Sequence, residues 1–318
     1  MEYRGGATWS TAVPSPTLAG VQAPPPLRAG DLCAVVAPCS PFPREGLLAG
    51  LAWLGQRYRL RASAGLFERS GFLAGDDERR TAELARAMLD PDVRAIFCAR
   101  GGYGATRILS RLPWAELARS PKWIVGFSDV TALHAGWASA GVASVHAPNV
   151  TGVGASSARF LAQNRGALLG ALERPGRTSC WADLEVVRKG GASGPLFGGN
   201  LSLLTALAAA GRLAVPQGAI VLLEDVTERP YRIDRMLTSL LDGGYLSRAS
   251  AVVFGGFDQC SPGPDGVTAR DVAVERTRAL GVPVLWGAPF GHGEHNEAFI
   301  VGASGEIAAG SLSWRADV

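Results

Sequence analysis

The chain has 318 residues, of which 47% are hydrophobic and 19% charged, and its formal net charge is +3. This length allows a large core and predicts two domains. Because basic and acidic residues are interspersed without an aromatic-basic stripe, we expect no nucleic-acid surface. Five widely spaced cysteines without a C-x-x-C pair, and only four histidines, argue against a disulfide framework and against a metal site.

Residues 1–26 are predicted to form a loose N-terminal extension. Their only apolar stretch is interrupted by Pro14, Pro16 and the run Pro24 to Pro26. Because a basic start followed by an uninterrupted apolar segment is missing, neither a signal peptide nor a membrane span is predicted. We therefore expect a cytoplasmic protein without a membrane partner.

From Asp31 to about residue 150, strand and helix signals alternate. Short apolar runs indicate strands at 32–37, 93–99 and 123–125. Amphipathic segments indicate helices at 44–57, 76–89 and 129–140. This β-α-β order predicts an α/β fold with a mostly parallel sheet that is covered by helices on both faces.

The regular pattern fades between about residues 151 and 194, where Gly, Ser and Ala dominate. It resumes with an apolar helix after Asn200, helices at 231–241 and 269–280, and strands at 219–223, 251–256 and 282–286. The tail over 299–314 alternates like a β-hairpin around Ser304-Gly305. We therefore predict an N-terminal domain over 27–160, an inter-domain segment over 161–193 and a C-terminal domain over 194–318.

Ser128 lies where a predicted strand gives way to a predicted helix, in Gly126-Phe127-Ser128-Asp129. A hydroxyl at such a turn projects from the sheet edge, and the N–H groups that open the helix can hold an oxyanion. This is the context of a nucleophile elbow. The pattern departs from G-x-S-x-G because Val130 replaces the second glycine, and Ser-Asp before an apolar run is, taken alone, more often a plain helix N-cap.

A glycine-rich turn, Arg100-Gly101-Gly102-Tyr103-Gly104, follows the predicted strand at 93–99. Glycines there let a ligand approach the outward-pointing backbone N–H groups. The turn is a candidate phosphate cradle, although its spacing fits neither G-x-G-x-x-G nor a Walker A loop. It is also a candidate oxyanion donor opposite Ser128, and a tight turn of purely structural role is the third interpretation.

Carboxylates and a histidine follow two later strands. Glu224 and Asp225 end an apolar strand, where α/β proteins usually bind ligands, although they are equally placed to pair with nearby arginines. His292 stands between two glycines after another strand, and we favour it over His295, which lacks that frame. We expect His134 to be structural, and His146 is a candidate for lining the cleft.

The resulting chain order is serine, acid, histidine, which is also the order in α/β-hydrolases. A serine nucleophile needs a base that takes its proton and a carboxylate that orients the imidazole. The sequence therefore predicts a hydrolytic triad whose members lie at three strand ends.

From Asp31 onward the chain resembles the LD-carboxypeptidase family in motifs that follow one another in the family order. These are R-G-G-Y-G, G-F-S-D, V-H-A-P, F-G-G-N-L, L-E-D-V-T-E-R-P-Y-R-I-D-R and F-G-H-G-E-H-N. The resemblance implies a flavodoxin-like N-terminal parallel-sheet domain and a β-rich α/β C-terminal domain, with the active site between them. It also implies a homodimeric serine carboxypeptidase without metal or other cofactor that releases the terminal D-alanine of murein tetrapeptides.

Carried over to this chain, the resemblance makes Ser128 the nucleophile, His292 the general base and Glu224 the orienting acid. The backbone N–H groups of Gly102 and Asp129 would form the oxyanion hole. Candidate substrate contacts are Tyr103, Asn200 and Arg232, with Arg235 as a further candidate for the substrate carboxylate.

Two other functions fit the same residues. A related branch hydrolyses microcin-type peptidyl nucleotides with the same triad, but it tends to carry Asn-Ser where this chain has Tyr103-Gly104. A non-catalytic binding protein on this scaffold would be expected to lose one triad member, and none is missing. The local sequence therefore favours the murein-recycling branch.

Overall fold

The computed structural model describes residues 21–155 and 159–317. Residues 1–20 of the predicted extension lie outside this part of the chain. Residues 21–26 are packed rather than loose, because the Gln22 N–H donates to Gly141 O at 2.8 Å and the indole of Trp123 donates to Pro25 O at 3.0 Å. The extension prediction therefore does not hold for its last six residues.

All six predicted helical segments are found among the described residues, together with further helices that were not predicted. The helices of the described residues are α1 Arg44–Leu54, α2 Asp77–Leu89, α3 Ala105–Ile108, α4 Trp114–Arg119, α5 Thr131–Ser139, α6 Val150–Val153, α7 Leu161–Glu173, α8 Leu201–Ala209, α9 Pro230–Asp242 and α10 Ala269–Thr277. Short 3-10 turns precede or follow several of them, including Ser128–Val130 before α5. No helix of the described ranges combines the length and apolar character that a bilayer-crossing segment needs.

Most strands have three to six residues, and three strands of the second sheet have eight to ten. The strands are β1 Leu32–Val36, β2 Arg59–Ala62, β3 Val93–Cys98, β4 Trp123–Gly126, β5 Ser144–His146, β6 Ser179–Trp181, β7 Glu185–Arg188, β8 Ala192–Asn200, β9 Ala219–Val226, β10 Ala249–Asp258, β11 Val284–Trp286, β12 Phe299–Val301, β13 Ser304–Ala308 and β14 Ser311–Arg315.

The first sheet has the strand order β12-β5-β4-β3-β1-β2 within the described residues. Strands β1 to β5 are parallel in the flavodoxin order 2-1-3-4-5, which confirms the predicted N-terminal fold. The residues of β1, β3, β4 and β5 are largely buried from both faces, as is usual when helices cover a parallel sheet, whereas the edge strand β2 is mostly exposed. The loops after β1, β3 and β4 therefore meet at one edge of the sheet.

The second sheet has the order β6-β14-β13-β8-β9-β10-β11-β7. Its centre, β8 to β11, is parallel, and antiparallel strands extend it on both sides. This mixed sheet with its helices confirms the predicted β-rich α/β C-terminal half. The carboxyl end of β9 carries Glu224 and Asp225.

Three elements differ from the sequence-based expectations. The segment over 161–193 contains α7 and the edge strands β6 and β7 of the second sheet, although glycine and serine had suggested irregular chain. Strand β12, from the range predicted as C-terminal domain, pairs antiparallel with β5 of the first sheet. The terminal hairpin turns at Ala309 and Gly310, whose φ values of 47° and 78° suit a tight hairpin turn, and not at Ser304-Gly305.

Candidate active site

Ser128 has a left-handed backbone, with φ of 65°, directly after β4. A non-glycine residue there carries a strain of about 1–3 kcal/mol and is stable only where its surroundings impose it. The flanking backbone supplies this restraint: Ala147 N donates to Gly126 O at 3.1 Å, and Phe127 N donates to the Asn149 side chain at 3.3 Å. Strand, strained turn and helix together form the geometry of a nucleophile elbow.

The side chain of Ser128 does not cap the helix. Phe127 occupies the cap position of the 3-10 turn and makes no side-chain capping bond. The hydroxyl instead lies 3.0 Å from Nε2 of His292. The N-cap interpretation of the serine is therefore wrong.

Ser128, His292 and Glu224 form one continuous hydrogen-bonded series. Nε2 of His292 faces the serine hydroxyl, and Nδ1 lies 2.7 Å from Oε2 of Glu224. Glu224 is fully buried, whereas the histidine keeps a small exposed edge. A neutral imidazole protonated on Nδ1 donates to the carboxylate and presents its Nε2 lone pair to the hydroxyl. The two sheets together thus bring the three predicted triad residues within hydrogen-bond distance of one another.

His292 and Glu224 shift each other's pKa values. Burial by itself would lower the pKa of His292, but the hydrogen bond and the charge of Glu224 outweigh it, so the pKa is raised above 6.5. Burial raises the pKa of Glu224, and the hydrogen bond from His292 works in the opposite direction. An imidazolium formed by proton transfer from the serine is therefore stabilised by the buried carboxylate.

The loop that carries His292 is fixed from behind by two asparagines that the sequence analysis did not single out. Gly291 N donates to the side chain of Asn296 at 3.3 Å, and Asn296 N donates to Oδ1 of Asn164 at 3.0 Å. Asn164 also donates to Glu294 O at 2.8 Å. Asn296 could have been found from the sequence, because it ends the motif F-G-H-G-E-H-N. Asn164 could not, because it lies on α7, which was not predicted.

The glycine-rich turn after β3 lies against the serine. A Cβ atom at Gly101 would come within 2.8 Å of the serine Cβ, so the close approach requires glycine. Gly102 has φ of 102°, and a Cβ there would lie 2.5 Å from Cβ of Ser40. Within the described ranges the Gly102 N–H has no hydrogen-bond acceptor. This free donor beside the serine fits an oxyanion hole better than a phosphate cradle.

The three predicted substrate contacts lie in different surroundings. Tyr103 is 46% exposed, and its ring packs 5.6 Å from that of Phe72. Asn200 is buried: it caps α8 at Leu203 N, and its amide donates to Asp225. Its side chain is thus engaged within the fold.

Arg232 is an exposed residue of α9 and forms an ion pair of 2.6 Å with Glu228. Asn200 lies beside the triad, because it is the cross-strand partner of Glu224 in β8 and β9, whereas no contact among the described residues joins Tyr103 or Arg232 to the triad.

The remaining histidines are structural in their contacts. His134 is buried between Ser144 Oγ and Gly126 O, each at 2.9 Å, and burial lowers its pKa to about 4. His146 is wholly buried and stacked on Phe299, so it does not line an open cleft. His295 bonds to Glu297 at 2.8 Å. Among the described residues, no cluster of three or more His, Cys, Asp or Glu side chains has an arrangement suited to a metal ion.

Family comparisons match both halves of the chain. The model of the LD-carboxypeptidase N-terminal domain matches residues 33–147, and that of the LD-carboxypeptidase C-terminal domain matches residues 193–307. The murein tetrapeptide carboxypeptidase of Pseudomonas aeruginosa is 34% identical over 292 residues, which cover 88% of this chain and 94% of that protein.

Solved structures show the same fold. The muramoyltetrapeptide carboxypeptidase of Oxalobacter formigenes superposes with a TM-score of 0.80 at 27% identity, covering 90% of this chain and 99% of the other. An MccF-like protein of Bacillus anthracis superposes with a TM-score of 0.81 at 21% identity, covering 93% and 100%, which bears on the fold alone. Two family models that match most of the chain, and a curated relative of similar length, lead to one conclusion: the chain belongs to the LD-carboxypeptidase family of hydrolases.

Proposed function

We propose that the chain is a serine-type L,D-carboxypeptidase that releases the terminal D-alanine from murein tetrapeptides. The observation that carries this proposal is the hydrogen-bonded series Ser128, His292 and Glu224, which supplies nucleophile, base and orienting acid. The choice of substrate is supported by the murein tetrapeptide carboxypeptidase that is 34% identical over most of both chains.

In the acylation step, Oγ of Ser128 attacks the carbonyl carbon of the bond before the terminal residue, and its proton passes to Nε2 of His292. Glu224 holds the other ring nitrogen and stabilises the imidazolium. The N–H groups of Gly102 and Asp129 receive the negative charge that develops on the carbonyl oxygen. Collapse of the tetrahedral intermediate breaks the C–N bond, and His292 gives its proton to the departing D-alanine.

In the deacylation step, water takes the place of the amine. His292 removes a proton from the water, whose oxygen attacks the acyl-serine carbonyl. The same two N–H groups stabilise the second intermediate, and the proton returns to Ser128 as the shortened peptide leaves. The exposed side chains of Tyr103 and Arg232 are the proposed substrate contacts beyond the reacting atoms.

A cytoplasmic location and a homodimeric assembly are part of the proposal. The location is supported by five unpaired cysteines, of which Cys33, Cys39, Cys98 and Cys260 are buried. Assembly is tested by light scattering of the purified protein, where a mass near twice the 33.1 kDa of one chain is expected. A monomer at all concentrations would contradict the dimer.

The activity is tested by incubating the purified chain with a murein tetrapeptide that ends in D-alanine. The matched control peptide ends in L-alanine, and an aminoacyl sulfamoyl adenosine tests the microcin-type alternative. We expect release of D-alanine alone. Cleavage of the nucleotide compound without cleavage of the tetrapeptide would favour the alternative, and binding without turnover of either would indicate a non-catalytic protein.

A further inference from the structure

Arg80, in the first turn of α2, is buried completely, which is rare for arginine. Its guanidinium donates to two backbone carbonyls, that of Pro38 and, at 2.8 Å, that of Gly104. It also pairs with Asp77 one turn earlier. The buried cation thus joins the loop after β1 to the glycine-rich turn after β3.

The same turn is also held by the buried carboxyl group of Asp129. Oδ2 of Asp129 accepts a hydrogen bond of 2.8 Å from Ala105 N. The carbonyl of Gly104 and the N–H of Ala105 belong to one peptide group. The Gly104–Ala105 peptide is therefore held at its oxygen by a cation and at its N–H by a carboxylate, both with charge-assisted hydrogen bonds.

This peptide group is connected to both residues whose N–H groups are proposed for the oxyanion hole. Gly102 precedes it by two residues in the same turn, and Asp129, which holds it, is the residue that supplies the second N–H. Further contacts tie the turn to its neighbour: Ser40 N donates to Gly101 O at 3.1 Å, and Tyr103 N donates to Ser40 Oγ at 3.0 Å. The spacing of the two donors therefore depends on the held peptide.

We propose that Arg80 is a positioning residue for the oxyanion hole: together with the Asp129 carboxylate it fixes the Gly104–Ala105 peptide, and through it the distance between the N–H groups of Gly102 and Asp129. This inference rests on the proposed function of Ser128. Loss of a single oxyanion donor costs about a hundredfold to a thousandfold in kcat, so displacement of one donor has a measurable effect.

The test compares Arg80→Met and Arg80→Lys with Arg86→Met, a control on the exposed face of the same helix. For each protein, kcat and KM are measured with the tetrapeptide, together with the affinity for a peptide boronic acid. The boronate forms a tetrahedral anionic adduct with Ser128 and places an oxygen in the hole, so its affinity follows transition-state binding.

For Arg80→Met we expect kcat and boronate affinity to fall together by about thirtyfold to a hundredfold, with KM within about twofold of wild type. Arg80→Lys should recover part of both, because an ammonium group keeps the charge but lacks the two-sided fork. Arg86→Met should match the wild type. Unchanged kcat and boronate affinity in folded Arg80→Met would overturn the inference.

If Arg80→Met does not fold, Arg80→Lys carries the test alone, because it keeps a cation at the buried position. A joint loss of kcat and boronate affinity in folded Arg80→Lys supports the inference, and wild-type values for both overturn it.

A fluorophosphonate separates this inference from the proposed substrate. In that reaction Oγ of Ser128 attacks phosphorus, fluoride leaves, and the proton passes to His292. Wild-type protein that is labelled at Ser128 but releases no D-alanine would contradict the proposed substrate alone. Slower labelling of the Arg80 variant then still supports the positioning role, and equal labelling rates overturn it.

Discussion

Nδ1 of His292 and Oε2 of Glu224 lie 2.7 Å apart, and this buried carboxylate raises the pKa of the histidine. Because the base must be neutral to accept the serine proton, kcat/KM should fall with decreasing pH, with a midpoint above the ordinary value of 6.5. Glu224→Gln removes the charge and leaves the burial that lowers the pKa. In this variant the decline of kcat/KM with decreasing pH should therefore occur at lower pH than in the wild type. A decline at the same pH would argue against the pairing of Glu224 with His292.

Ser128→Ala should reduce D-alanine release by roughly five to six orders of magnitude, because no hydroxyl remains to form the acyl-enzyme. His292→Ala should lose nearly as much, since base and nucleophile act as a unit. The measurement is single-turnover cleavage of the tetrapeptide. The matched control is Ser70→Ala, which makes the same substitution at an exposed serine. Near-normal turnover of folded Ser128→Ala would disprove the serine mechanism.

Glu224→Gln should reduce turnover less than loss of the serine, by roughly a thousandfold or more, as for the corresponding change in other serine triads. The amide cannot stabilise the imidazolium and favours the wrong tautomer. Residual activity should persist from the N–H groups of Gly102 and Asp129. A rate near that of wild type would remove Glu224 from the triad and leave Asp225 as the next candidate acid.

Exhaustive treatment with EDTA should leave turnover unchanged, because His292 supplies the base that a metal-bound water would provide in a zinc carboxypeptidase. The rate is compared before dialysis, after it and after addition of zinc. Activity that is lost to the chelator and restored by zinc would contradict the proposed mechanism.

The free energy of unfolding should fall as the pH drops from about 6.5 to 4. Burial lowers the pKa of His134 to about 4, so the unfolded chain binds a proton over this range that the folded chain does not. This difference in proton binding should lower the free energy of unfolding by about 3 kcal/mol. Urea titrations should therefore show a shallower pH dependence for His134→Gln, and an equal slope would contradict the assignment.

The proximity of Glu224 and His292 was predictable, because both lie near carboxyl ends of strands in one parallel sheet centre. Their approach to Ser128 was not, because Ser128 follows β4 of the other sheet. The two halves of the fold were predictable from the alternation of strand and helix signals. Helix α7 was not, since Gly166 and Gly170 lower its helix propensity and packing against the sheets stabilises it instead.

The supporting contacts behind the triad were not predictable from local patterns. Arg80 sits in a polar helical turn that looks solvated, and only the folded chain shows it to be buried against Gly104. Asn164 and Asn296 are 132 residues apart, and their pairing depends on the docking of α7. The helix that begins after Asn200 was predicted, but the hydrogen bond from the Asn200 amide to Asp225 is visible only in three dimensions.

Strand β12, at Phe299–Val301, completes the sheet that holds Ser128 by covering the outer edge of β5. During synthesis on the ribosome, the first five strands of that sheet emerge long before β12. Until then β5 presents unpaired N–H and C=O groups, which can pair with other chains. Division of the gene between the two family domains would make this exposure permanent. A chaperone that binds the nascent chain before β12 is made should therefore increase the soluble yield. For the divided gene, co-expression of the segment that contains β12 should have the same effect.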